Sequence, residues 1–115
     1  MAELRLSPDQ ARCVLSLLRA HLPVGAVVNV FGSRATGRGL KPHSDLDLLV
    51  QSPAGLPIRA VADLREALAE SDLPFSVDLL DRNDASAEFL ERIAREGMVE
   101  LCSLAAEPAH KRPDV

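Results

Sequence analysis

The stretch Ser44 to Gln51, "SDLDLLVQ", limits what this chain can fold into more than any other part of it. Successive strand residues point to opposite faces, so Asp45 and Asp47 project together while Leu46, Leu48 and Val50 form the other face. Aspartate is disfavoured in strands, and a carboxylate taken out of water is costly unless something compensates its charge. A sheet holding this strand needs an apolar core on one side. On the other it needs a partner for clustered negative charge.

The flanking sequence supplies the rest of such a sheet. "AVVNVF" (26–31) is short and β-branched, as buried strands are, and "FSVDLLD" (75–81) repeats the alternation with Ser76, Asp78 and Leu80 opposite Phe75, Val77 and Leu79. If this third strand lies near the second, Asp78 joins the first two carboxylates. Ser7, Pro8 and Gln10 form a helix start with a capping box, followed by Ala11, Val14, Leu15, Leu18 and Leu22 on one helical face. Pro57 to Ser71 is a second helix with Val61, Leu64 and Leu68 inward. Asp84 or Ser86 caps a third, with Phe89, Leu90 and Ile93 inward and Gly97 as its stop. In that helix Glu88 with Arg92, and Glu91 with Arg95, have the spacing of surface ion pairs. "MVELCSL" (98–104) reads as a last edge strand. The order predicts a small α/β or α+β domain, with helices packed on a short sheet.

At 115 residues the chain has room for one core. Residues 1–105 are expected to form a single domain and 106–115, with two prolines and no apolar period, a flexible tail. A formal charge of −4 argues against general affinity for the nucleic-acid backbone, and the absence of Tyr and Trp removes the usual stacking platforms for a base. Cys13 and Cys102 are far apart and read as reduced thiols. No apolar run approaches the ~20 residues of a membrane span, and the N-terminus carries no apolar signal region. A cytoplasmic protein is expected.

Three carboxylates within several ångströms repel one another, and a divalent cation reverses that cost. Hard oxygen ligands with room for water and phosphate suit Mg²⁺ better than Zn²⁺. Eleven residues upstream, across positions 34–44, Gly32 and Ser33 follow directly on a strand. Glycine there lets a phosphate approach the backbone, and Ser33 opens the short segment "SRATG", whose free amides and hydroxyl can hold an anion. Arg34, Arg38 and Lys41 bring positive charge into this loop of an acidic chain. One element is suited to cradle phosphates and another to bind their metal.

Gly32-Ser33, the eleven-residue interval, Asp45-x-Asp47 and the later carboxylate at Asp78 resemble the nucleotidyltransferase superfamily that includes DNA polymerase β. The short length and "VDLLDRNDASAEFLERIAREGMVEL" are similar to the minimal nucleotidyltransferases, MNT proteins of the MntA antitoxin type, over residues 8–104. The resemblance implies a nucleotidyltransferase fold, a small mixed sheet flanked by helices. It implies AMP transfer from ATP to an acceptor hydroxyl, with two Mg²⁺ ions as cofactors and a cognate HEPN-domain RNase toxin as partner in a hetero-oligomer, without direct nucleic-acid or membrane binding. Gly32 and Ser33 would then hold the β- and γ-phosphates, with Arg34 and Arg38 steadying them. Asp45 and Asp47 would ligate Mg²⁺, and Asp78 would complete the metal site and orient or deprotonate the attacking hydroxyl. A tyrosine of the toxin is the expected acceptor. Two rival readings are an antitoxin that masks the toxin sterically and a transferase acting on a small-molecule hydroxyl.

Overall fold

The structure is a computed structural model that describes residues 5–104; the tail expected to be flexible lies outside the described residues. Helix α1 (Pro8–His21) starts where its capping box predicts. The Ser7 hydroxyl accepts from the Gln10 amide at 3.1 Å, and the Gln10 side chain accepts from the Ser7 amide at 2.9 Å. Strand β1 (Val27–Phe31), the short helix α2 (Ser33–Thr36), strand β2 (Leu46–Gln51), helix α3 (Ile58–Ala69) and strand β3 (Val77–Asp81) follow. A 3₁₀ turn (Arg82–Asp84), helix α4 (Ala87–Glu96) and strand β4 (Val99–Ser103) complete the order. Of the two candidate caps for α4, Ser86 is the one used, its hydroxyl accepting from the Phe89 amide at 3.0 Å.

The four strands form one sheet in the order β3-β2-β1-β4. β1 runs antiparallel to β2 and β4, and β2 runs parallel to β3, so the sheet is mixed and "MVELCSL" does supply an edge strand. One face is apolar throughout. Val28 and Val30 of β1 and Leu46, Leu48 and Val50 of β2 are buried there with Val14 and Leu18 of α1 and Leu64 and Leu68 of α3. Leu17, which lies beside the expected α1 stripe, also packs on this core. Phe31 points to the other face, where it meets Phe89 of α4 edge-to-face at 5.6 Å, so α4 covers part of the acidic side. Arg92 lies over the Phe89 ring at 5.1 Å rather than reaching Glu88, because the ring offers both apolar cover for its stem and a negative face.

Cys13 and Cys102 are free thiols, as expected, and burial raises the Cys102 pKa. No helix among the described residues is long and apolar enough to cross a membrane.

Leu48 is fully buried at the centre of β2, between both helices and β1. Leu48→Ala should therefore cost about 2–5 kcal/mol in urea unfolding. A loss well under ~1 kcal/mol would mean that the core is not organised around β2.

Candidate active site

The acidic face becomes a site because of how the chain leaves β1. Gly32 turns it with φ 77° and ψ −156°, a backbone conformation that residues with a Cβ rarely adopt. The same residue lies against β2: a Cβ on Gly32 would stand 2.5 Å from Asp47 Oδ2. Glycine is thus required for both the bend and the close approach. The amides of Ala35 and Thr36 each donate to the Gly32 carbonyl at 3.0 Å and close the turn. The amides of Ser33 and Arg34, at its head, have no acceptor within so short a helix.

Strand register brings the carboxylates to this turn. Phe31, the residue before Gly32, pairs with Asp47, and Asp47 pairs with Asp78. Asp45 stands one residue ahead of β2 and is exposed, as is Asp78, while Asp47 is half-buried. The Asp47 pKa is pushed up to about 6, first by burial, then by the charges of Asp78 and Asp45, and by a side-chain hydrogen bond with Asp78. These effects are those of three carboxylates crowded on one face.

Among the described residues, no three His, Cys, Asp or Glu side chains form a ready metal cage. The donor set nonetheless fits a hard cation. Asp47, with Asp45 and Asp78 at its exposed margins, offers carboxylate oxygens only, and the open side leaves positions for water and phosphate as Mg²⁺ requires.

The basic residues of the loop do not behave alike. Arg34 was expected beside the phosphates, but its guanidinium points inward. It is 5% exposed, bonded to three backbone carbonyls and stacked 4.0 Å from the Phe75 ring centre, so it is not placed to touch a triphosphate. Arg38 is exposed, with Nη2 3.3 Å from the Glu96 carbonyl at the end of α4. Asp45 also borders a cleft of about 660 Å³ lined by His43, Leu68, Leu73, Phe75 and Ser76, beside α3. His43 Nδ1 lies 2.9 Å from the carbonyl of Pro74, which also lines the cleft. Sequence reasoning passed over it, since a lone histidine in a loop carries no spacing signal. A smaller cavity of about 170 Å³ lies at the C-terminal end of β3, lined by Leu22, Val61, Asp81 and Asp84, and does not include the Gly32–Ser33 turn.

Residues 16–103 match the family described as polymerase beta, nucleotidyltransferase. The chain belongs to this nucleotidyltransferase family. Its relatives include a Haemophilus influenzae protein named as a probable protein adenylyltransferase, MntA. It is 39% identical over 94 residues, spanning 82% of this chain and 81% of that one. Among solved structures, a toxin-antitoxin complex with AMP-PNP matches with a TM-score of 0.63 at 28% identity, over 84% of this chain and 74% of the other. A complex of a tri-AMPylated Shewanella oneidensis HEPN toxin with an MNT antitoxin matches with a TM-score of 0.59 at 25% identity, over 88% and 74%. The nucleotidyltransferase fold that the resemblance implied, a small mixed sheet flanked by helices, is the fold observed.

Two outcomes follow from the site's geometry. Gly32→Ala should destabilise the protein by about 1–3 kcal/mol and abolish nucleotide binding, because the new methyl group must displace Asp47 while the backbone is strained. Calorimetric binding of AMP-PNP checks this; wild-type affinity in the variant would contradict it. The second outcome concerns pH. The folded-state pKa of Asp47 lies above its unfolded value, so folding takes up a proton between pH values of about 4 and 6. The stability this confers is full below that window and is lost as pH rises through about 6. In metal-free urea unfolding, Asp47→Asn should gain about 1–2 kcal/mol on wild type between acid and neutral pH, after allowing for solvent screening. A pH-independent difference would contradict the crowding of the carboxylates.

Proposed function

We propose that this nucleotidyltransferase is the antitoxin of a HEPN/MNT pair and moves AMP from ATP to a tyrosine hydroxyl of its cognate HEPN toxin. The observation that carries the reading is Gly32 packed directly against Asp47, with Asp78 in register beside it. That contact joins a phosphate turn to a set of carboxylates. A relative named for protein adenylyl transfer, and neighbours solved as toxin-antitoxin complexes with AMP-PNP or an AMPylated HEPN toxin, support the choice of nucleotide and partner.

In this reading the Ser33 hydroxyl and the amides of the 33–34 turn hold the β- and γ-phosphates, and exposed Arg38 exchanges its long bond to Glu96 for a phosphate oxygen. Asp45, Asp47 and Asp78 are the residues that would hold Mg²⁺, which when bound would supply charge neutralisation at the triphosphate. Asp78 orients the tyrosine hydroxyl and takes its proton. The hydroxyl oxygen forms a bond to the α-phosphorus, the bond from that phosphorus to the bridging oxygen breaks, and pyrophosphate leaves with the electron pair. The chain contains no Tyr, so it cannot act as its own tyrosine acceptor.

Each AMP adds a negative phosphodiester to the toxin, which near an RNase site repels the RNA backbone and blocks the catalytic groups. The test is to incubate this protein with its cognate toxin and Mg²⁺ and ATP labelled at the α-phosphate, then remove it. Label should appear on the toxin alone, and the toxin should stay inactive after separation. If RNase activity returns on separation, masking is the mechanism and the transferase reading fails. Asp45→Asn combined with Asp47→Asn should abolish labelling and leave the metal-free protein at least as stable as wild type, since two repelling charges are gone. Wild-type labelling by the double variant would overturn the metal assignment.

A further inference from the structure

We propose that Arg34 is a positioning residue for nucleotidyl transfer, clamping Asp45 in place relative to the phosphate turn instead of touching the nucleotide. Its three side-chain nitrogens go to three separate carbonyls: Nε to Ser44 at 2.9 Å, Nη1 to Arg5 at 3.0 Å and Nη2 to Pro42 at 3.1 Å. Its guanidinium lies over the Phe75 ring at 4.0 Å, and its own carbonyl accepts from the Arg5 amide at 2.8 Å.

The segments it joins are those that carry the site. Arg34 directly follows Ser33 in the phosphate turn. Ser44 directly precedes Asp45. Phe75 leads into β3, and the neighbouring Ser76 carbonyl accepts from the Leu46 amide at 2.9 Å. The need for a clamp follows from electrostatics. Asp45 lies just ahead of β2, which begins at Leu46, so the sheet holds it on its C-terminal side, through the Leu46 amide, and the 42–44 loop sets its other side. The charges of Asp47 and Asp78 repel it and its exposed position lets it move away. A planar guanidinium with donors in a fixed fork pins the 42–44 loop at two points; an ammonium acts as a point charge and cannot span them.

The inference rests on the nucleotide-and-metal reading of this site but not on the identity of the acceptor. Its test therefore uses binding alone. Mn²⁺ affinity is measured by electron paramagnetic resonance on folded wild type, Arg34→Lys and Phe75→Leu, and AMP-PNP affinity is measured at saturating Mn²⁺. Losing a residue that orients a metal ligand typically weakens metal binding about 10–100-fold. Arg34→Lys should fall in that range with AMP-PNP affinity within about two-fold of wild type, because the 32–33 turn keeps its amides. Phe75→Leu should shift Mn²⁺ affinity in the same direction by less, and decides the matter alone if Arg34→Lys does not fold. The opposite pattern, weakened AMP-PNP with unchanged Mn²⁺, would make Arg34 a phosphate ligand and overturn the proposal. Unchanged values for both in folded variants would reduce it to scaffold and overturn it equally. Failure of wild type itself to bind Mn²⁺ would sink the site reading, and the clamp with it.

Discussion

Everything at the acidic end of this protein depends on one contact, the approach of the Gly32 backbone to the Asp47 carboxylate. It leaves no room for a side chain at position 32, since a Cβ there would stand 2.5 Å from Asp47 Oδ2. It also places a turn with unengaged amides against a carboxylate that already feels two others. Burial of that carboxylate, and then the charges of Asp78 and Asp45, push the Asp47 pKa up to about 6. In the proposed function, the repulsion among the carboxylates would become attraction for a cation arriving with a triphosphate.

The rest of the sheet can be understood as what makes that junction affordable. Leu46, Leu48 and Val50 put the apolar half of β2 under α1 and α3, so the strand is held in register by its buried face. A slip of one residue would send the aspartates into the core and the leucines into water, and so the register is strongly specified. Parallel pairing with β3 then delivers Asp78 beside Asp47 without any further requirement. At the margin, where the ladder ends at the Leu46 amide, side-chain hydrogen bonds from Arg34 hold the loop that leads into Asp45.

Legibility in the sequence followed the range of the interactions. The Ser7–Gln10 capping box, the Ser86 cap and the alternation of β2 and β3 are set by residues within a few positions of one another, and they lie where the residue pattern puts them. The grouping of Gly32, Asp47 and Asp78 was legible because each sits on a strand or at its end, where period and spacing dictate direction. Arg34 was misread because its partners are backbone carbonyls eight to 29 residues away, on Pro42, Ser44 and Arg5. Carbonyl acceptors leave no mark on the residue pattern, so a buried arginine looks identical to a phosphate ligand. Arg92 differs, for its partner is local: the guanidinium lies over Phe89, three residues back on the same helix, a contact that charge spacing alone does not weigh against Glu88. The cleft at His43 arises from the meeting of α3 with the start of β3, a tertiary event with no local signature.

The central claim is that the phosphate turn and the carboxylates make a single site. The most direct measurement is a crystal structure with AMP-PNP and Mn²⁺, the metal located by its anomalous scattering. The account predicts Mn²⁺ bound to Asp45 and Asp47, with the β- and γ-phosphates at the Ser33 hydroxyl and the amides that follow Gly32. Metal bound away from Asp47, or a triphosphate lying in the cleft beside α3 with the turn unengaged, would contradict it.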